Sequence, residues 1–336
     1  VLFVPMTQKE PVPMGQKGRN MTLDTILEEI KKAEKIVILT HELPDGDAVG
    51  SSLATGLALE EMGKNVDIII PEYSKVFDFL PGADKILQKG RTNKYDLAIS
   101  VDCSDLKRLV GGKEYFETAK RTIEIDHHSV NSMFADFNYV DPVAPACCQV
   151  LIGMFEYFGI DIDKELGTCL LTGIITDTGG FSYGATTETF EFAAEILSLG
   201  VNISEIFRRA LHTKNKANFE LTKRAMDRLE FFEDGKVAFT YITGQDQEEV
   251  NAVPGDHEGI VDVGKNIDDV EVSIFLHEVK GKGYKISLRS LEYVDVASIA
   301  IMLGGGGHLR AAGAYGKGTI EQIRDKVLKE VRKQLM

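Results

Sequence analysis

The feature that most constrains this chain is residues 36–52. Ile36-Val37-Ile38-Leu39 is an apolar run of strand length, followed by THELPDGDAVGSS, where His41, Asp45 and Asp47 crowd a turn before small residues open at Gly50. Such a run reads as a buried strand and the small residues as a helix start. A strand-to-helix turn lies at the carboxyl edge of a parallel sheet, where open α/β folds place their ligands. Three groups able to bind a divalent cation within seven residues therefore form a metal candidate. The competing explanation is local: Asp is a favoured helix cap, so Asp45 and Asp47 would serve the helix end and His41 would be incidental.

Three later clusters weigh against that explanation. The strand-like run 95–101 ends at Asp102, the run 121–125 delivers Asp126-His127-His128, and the helix-like segment 164–176 ends at Asp177 before Thr178-Gly179-Gly180-Phe181. Each acidic or imidazole group sits where an apolar element stops. Parallel strands would bring their ends to one crevice. A further strand is expected over 66–70, after a helix over 50–62 that stops at Gly63. Strands alternating with helices imply a mostly parallel sheet flanked by helices, hence an α/β fold. From about 145 the pattern turns helical, with helices expected over 147–158, 164–176, 187–199 and 203–212.

A charged stretch around 208–218 is the expected linker, leading into a connecting helix, so that 206–230 separates two domains, 21–205 and 231–336. In the second, 236–241, 271–277 and 284–289 read as strands and 296–303 and 320–335 as helices, giving a smaller α/β domain. The cleft between the domains is the expected site. Residues 1–20 begin without methionine, carry Pro11, Pro13 and Gly15 close together and show no periodicity. They read as a flexible or appended leader, with Met21 as a natural start. Thr22 is the expected cap of a first helix reaching about 34.

HELPDGDAVGSS, the aspartate of VDCSD, the DHH triplet and TDTGGF resemble, in order, the four motifs of the DHH phosphoesterase superfamily. Gly304-Gly305-Gly306-Gly307-His308 with Ala311-Ala312-Gly313 is similar to the glycine-rich motif of its DHH-associated C-terminal domain. Length and pairing most resemble the bifunctional oligoribonuclease and pAp phosphatase group. That resemblance implies His41 and Asp45 on one metal, Asp47, His127 and Asp177 on a second, and Asp102 bridging them as the catalytic carboxylate. It implies Asp126 orienting an imidazole and His128 facing the substrate phosphate or leaving oxygen. It also implies substrate contacts from Arg289, Ser290, Gly305, Gly306, Gly307 and His308, while Arg108, six residues after Asp102, is a further candidate weighed against a solvated surface charge. The chain departs from the family at Cys147-Cys148-Gln149, where a hydroxyl residue and a glutamate are usual; this is expected to touch no metal ligand.

Oxygen-rich ligation with imidazole and no thiolate suits two Mn(II), with Mg(II) as a weaker substitute, better than a closed zinc site. Two divalent cations about 3.5 to 4 Å apart can activate a water and absorb phosphoryl charge together. The formal charge of -14 argues against a protein that grips long nucleic acid nonspecifically, though not against short anionic substrates whose site is rich in cations. Short RNA oligonucleotides or nucleotide bisphosphates are thus the expected partners, with a homodimer left open. Cys103, Cys147, Cys148 and Cys169 lack zinc-type spacing and read as reduced, buried thiols. No apolar run approaches the roughly 20 residues that span a membrane, so a cytoplasmic enzyme is expected. A cyclic or linear dinucleotide phosphodiesterase is the main alternative. An inorganic pyrophosphatase is less favoured because of the glycine-rich motif, and a non-catalytic nucleotide sensor because no metal ligand is missing.

Overall fold

The computed structural model describes residues 23–253 and 255–335, so the expectations for residues 1–20 and for Thr22 lie outside the described residues. The chain divides into two compact units at 213/214. Among the described residues, no helix is long and apolar enough to cross a membrane.

The first unit runs α1 (Leu23–Lys32), β1 (Lys35–Leu39), α2 (Gly46–Glu61), β2 (Asn65–Ile69), β3 (Ile86–Leu87), β4 (Leu97–Val101), α3 (Lys113–Thr118), β5 (Arg121–Asp126), β6 (Phe137–Val140), α4 (Cys147–Phe158), α5 (Lys164–Asp177) and α6 (Thr187–Ser198). It closes with the short α7 (Ile203–Ile206) and a π-helical turn, Phe207–His212, where a single helix was expected. The strands form one sheet in the order β3-β2-β1-β4-β5-β6, and every pairing is parallel. β4 is buried at every residue, as a parallel strand covered on both faces must be, which is why it reads as an unbroken apolar run.

The chain builds outward from β1 to β3, then returns to lay β4 on the free side of β1. The strand order therefore reverses between β1 and β4, the switch point at which doubly wound sheets leave a crevice beyond their carboxyl ends. The register pairs Leu39 with Ser100 and Val101 with Ile125, so His41, Asp102 and Asp126-His127-His128 all leave the sheet at that edge. The edge strands β3 and β6 escape sequence reading, since β3 is two residues long and β6 carries Asn138 in a four-residue span.

α2 begins at Gly46, four residues earlier than the small residues alone suggest, because Asp45 caps it: Oδ1 accepts from Asp47 N at 3.0 Å and Ala48 N at 3.1 Å. Asp47 therefore sits in the first turn. Small residues let α2 pack tightly on α5: a Cβ on Gly50 would lie 2.6 Å from the Cys169 carbonyl, and one on Gly173 would lie 2.4 Å from Asp47 Oδ1. This close approach carries Asp177, the last residue of α5, to the sheet edge.

The second unit comprises α8 (Lys216–Asp227), β7 (Glu230–Phe232), β8 (Val237–Ile242), α9 (Gly244–Glu249), α10 (Asp262–Lys265), β9 (Val272–Val279), β10 (Gly283–Ser290), α11 (Val296–Met302), β11 (Gly306–His308), β12 (Ala311–Gly316) and α12 (Ile320–Val331). Its sheet runs β11-β12-β10-β9-β8-β7, with β8 and β9 parallel and the other pairs antiparallel. Apolar residues of β8, β9, β10, β12, α11 and α12 form its main core.

Candidate metal centre

His41 follows β1 and is buried. Its Nδ1 lies 2.7 Å from the Glu42 carbonyl, and a carbonyl only accepts, so Nδ1 carries a proton and Nε2 is the atom turned to the acids, 3.6 Å from Asp102 Oδ2. His127 repeats this arrangement. Its Nδ1 lies 3.2 Å from the Ala144 carbonyl, while Nε2 lies 3.2 Å from Asp177 Oδ2, 3.4 Å from Asp102 Oδ1 and 3.9 Å from Asp47 Oδ2. A carbonyl holding the far nitrogen is how metal-binding imidazoles are commonly oriented.

Ligand atoms fall within 4.8 Å of one another in several overlapping groups: His41, Asp45 and Asp102; Asp47, His127 and Asp177; and Asp102, Asp126, His127 and His128. Asp102 stands between the first two. It occupies the left-handed region at φ +52, uncommon for a residue with a side chain. Among the described residues its Oδ1 is buried with no well-formed hydrogen bond, facing His127 Nε2 at 3.4 Å, an arrangement that costs free energy unless another group answers it.

Electrostatics tell the same story. Burial, reinforced by Asp102, pushes Asp47 up to about 7, and burial with Asp47 and Asp45 raises Asp177 well above the carboxylate range. Burial acts on Asp102 in the same sense, but His127, His41 and His128 outweigh it and hold it low. Too many acids share too little water for the imidazoles alone to neutralise them. The buried Asp102 oxygen, the inward Nε2 atoms and the crowded carboxylates all fit a divalent cation.

Capping and ligation are compatible at Asp45, since the cap bonds take only Oδ1. Asp47 corrects one expectation. The Cys147-Cys148-Gln149 segment does touch a proposed ligand: the Cys147 and Cys148 amides, at the N-terminus of α4, donate to Asp47 Oδ2 at 2.5 Å and Oδ1 at 2.9 Å. The bonds come from the main chain and the positive end of the helix, so the unusual side chains leave them intact.

His128 Nδ1 lies 2.7 Å from Oδ1 of the buried Asp126. Arg108 is half-buried on the His41 side, where its carbonyl accepts from Glu42 N at 2.7 Å. Its positive charge opposes protonation of His41. Sequence reasoning missed Asn131, which donates to Asp126 and to the buried Glu124, and it missed the orienting carbonyls of Glu42 and Ala144. Glu124 did leave a signal, as a charged residue between Ile123 and Ile125 in the buried part of a strand.

In the second unit, Arg289 and Ser290 end β10. Arg289 Nε lies 3.8 Å from Asp262 Oδ1, and among the described residues Ser290 Oγ is buried without a hydrogen-bond partner. The glycine run is not a free turn. Gly305 N donates to the Ala300 carbonyl as α11 ends, and Gly306, Gly307 and His308 pair with Gly313, Ala312 and Ala311. A Cβ on Gly305 would come 2.0 Å from the Gly313 carbonyl and one on Gly307 would come 2.5 Å from Ala312 Cα, so the hairpin itself requires those glycines, whereas Gly306 is open.

Two family models match: the DHH family, N-terminal domain over residues 35–174 and the DHHA1 domain over 234–336. The chain is 33% identical over 320 residues to the bifunctional oligoribonuclease and PAP phosphatase NrnA of Thermus thermophilus, covering 92% of this chain and 94% of that protein. It is 25% identical to the cyclic-di-AMP phosphodiesterase PdeA of Listeria monocytogenes, covering 97% of this chain but 50% of that longer protein. The crystal structure of an exopolyphosphatase-related protein from Bacteroides fragilis superposes with a TM-score of 0.84 at 30% identity, covering 93% of this chain and 95% of that one. With a doubly wound sheet that gathers aspartates and histidines at its switch point, and a DHHA1 domain following it in sequence, this chain belongs to the DHH phosphoesterases, in the branch of the bifunctional oligoribonucleases and PAP phosphatases.

Proposed function

We propose that the enzyme hydrolyses short oligoribonucleotides to mononucleotides and pAp to AMP, using two Mn(II), with Mg(II) a weaker substitute. His41, Asp45 and Asp102 would hold one cation, and Asp47, His127, Asp177 and Asp102 the other. The observation that carries this reading is the buried Asp102 carboxylate, whose Oδ1 lacks a well-formed hydrogen bond and which faces both His41 and His127. Bound there, divalent cations activate water for attack on phosphorus and draw charge from the phosphoryl oxygens. The chain's own residues do the rest. Asp126 holds Nδ1 of His128, which leaves Nε2 as the atom that meets the phosphate and passes a proton to the departing ribose oxygen. The setting is cytoplasmic, in keeping with four free, buried cysteines.

A purified-protein panel of pAp, pApA, cyclic di-AMP, short RNA and pyrophosphate with Mn(II) tests the reading. The expected result is turnover of pAp and short RNA, with activity falling as RNA lengthens beyond a few nucleotides. A chain of formal charge -14 offers little positive surface to distal phosphates. Cleavage of a 24-nucleotide strand about tenfold faster than a dinucleotide would sink the short-substrate reading. The Listeria relative favours a second reading, hydrolysis of cyclic or linear dinucleotides, which preferential turnover of cyclic di-AMP or pApA in the same panel would select.

We propose that Arg289, Ser290, Gly305, Gly306, Gly307 and His308 contact the nucleotide, with Arg108 a further candidate. His308→Ala and Arg289→Ala are then expected to keep their metal. Losing one charge-assisted phosphate contact costs roughly 1.5 to 3 kcal/mol, about ten- to hundredfold in kcat/KM on pAp. A generic ester such as bis-p-nitrophenyl phosphate lacks the second phosphate and should be hydrolysed at near wild-type rates. Unchanged pAp kinetics in both variants would reduce the glycine-rich hairpin to a structural element.

A further inference from the structure

We propose that Asn131 is a positioning residue for the hydrolysis, acting through Asp126 to fix the imidazole of His128. This deepens the reading above, because it takes His128 as the group that meets the substrate. Asp126 is fully buried and both its oxygens are engaged: Oδ1 faces His128 Nδ1 at 2.7 Å and Oδ2 accepts from Asn131 Nδ2 at 2.6 Å. The same amide nitrogen lies 2.7 Å from Oε1 of Glu124, also fully buried, whose Oε2 accepts from Phe134 N at 3.2 Å.

Two buried carboxylates two residues apart thus share one neutral donor. A carboxamide nitrogen supplies two protons in one plane, which a hydroxyl cannot, and it adds no acceptor between the acids. Its orientation is settled by the loop. Asn131 Oδ1 accepts from Met133 N at 2.6 Å, and Met133 sits in the left-handed region at φ +50. Ser132 ties the same loop to the Ser104 carbonyl through its amide at 2.9 Å and its hydroxyl at 3.0 Å, two residues beyond Asp102. Asn131 is therefore held in place independently of Asp126.

Without that amide, Asp126 Oδ2 would be buried with no donor and would face Glu124. A buried acceptor stripped of its partner rotates toward another donor, and that rotation releases His128 Nδ1. The half-buried His128 ring would then sample rotamers that no longer aim Nε2 at the leaving oxygen.

The test is a double-mutant cycle on pAp, with kcat, KM, metal content and melting temperature measured for Asn131→Ala, His128→Ala and the double variant. The expected result for Asn131→Ala is a ten- to hundredfold lower kcat, the range for groups that orient a catalytic ligand, with KM and metal content unchanged within about twofold. In the His128→Ala background the same replacement is expected to cost less than about twofold, because its effect has no remaining route. A loss that multiplies that of His128→Ala, or a wild-type kcat in Asn131→Ala, overturns the proposal. So does a loss in Asn131→Ala while His128→Ala keeps wild-type kcat. The isosteric Asn131→Asp, carried through the same cycle, replaces the alanine variant if that one does not fold. Should the wild type leave pAp untouched, the pAp reading fails, and the cycle is run on pApA or short RNA, whose departing group is also a ribose oxygen, with the same outcomes.

Discussion

Replacing Asp102 with alanine is expected to lower kcat/KM by at least about 10³-fold, because in the proposed two-cation reading the several kcal/mol contributed by the metals would depend on a carboxylate shared between them. Asp102 Oδ2 faces His41 Nε2 at 3.6 Å and Oδ1 faces His127 Nε2 at 3.4 Å, so no other acid in the cluster looks both ways. Metal content measured after equilibrium dialysis should fall at both positions. The alanine also inherits a left-handed backbone at φ +52, which an asparagine tolerates better. Asp102→Asn therefore separates charge from strain: it keeps the shape and the backbone, and it should lose most of the metal and turnover while melting close to wild type. Full occupancy of two sites in Asp102→Ala would end the bridging assignment, whatever the activity.

The parts of this site that sequence reveals are those written in residue type. β1 and β4 are largely apolar because a covered parallel sheet requires it, β5 contributes Ile123 and Ile125, and the groups at their ends, His41, Asp102 and Asp126-His127-His128, stand out against them. Asp177 is legible for the same reason, at the end of a largely buried helix. What holds those groups is mostly main chain. The Glu42 and Ala144 carbonyls that orient the two imidazoles, and the Cys147 and Cys148 amides that grip Asp47, would be there with almost any side chain. No composition or spacing can expose them. Asn131 is the intermediate case. It is a side-chain donor, but in a short polar stretch it looks like any loop asparagine until the fold sets Glu124 and Asp126 on either side of it. The start of α2 was misplaced for a related reason: Pro44-Asp45-Gly46 resembles a turn, and only the cap bonds from Asp45 show that the helix has already begun. In the second unit, β11 and β12 are glycine- and alanine-rich, so they lack the β-branched and aromatic residues that mark a strand.

Gly173→Ala is expected to disable the enzyme from a buried backbone position in α5. Its Cβ would fall 2.3 Å from Cys148 Sγ and 2.4 Å from Asp47 Oδ1, and neither neighbour can yield cheaply. Asp47 is clamped by two amides of α4, and Cys148 is fully buried. The strain must pass into the packing of α2, α4 and α5, where overpacking a dense core costs about 1 to 3 kcal/mol. The same displacement moves Asp47 relative to Asp177 and His127, which lie within one ligand group. Misplacing a reacting constellation by an ångström can cost about 100-fold in rate, so turnover should fall by that order, with weaker metal retention. Gly153→Ala is the matched control: it lies in α4 with nothing within 4 Å of the added carbon, and helix propensity alone should make it neutral or more stable by up to about 1 kcal/mol. Melting temperature, metal content and kcat of the two variants distinguish the cases. Wild-type metal content and kcat in Gly173→Ala would show that the Asp47 carboxylate has room the close packing denies it, and that the small residues of α2 and α5 serve stability alone.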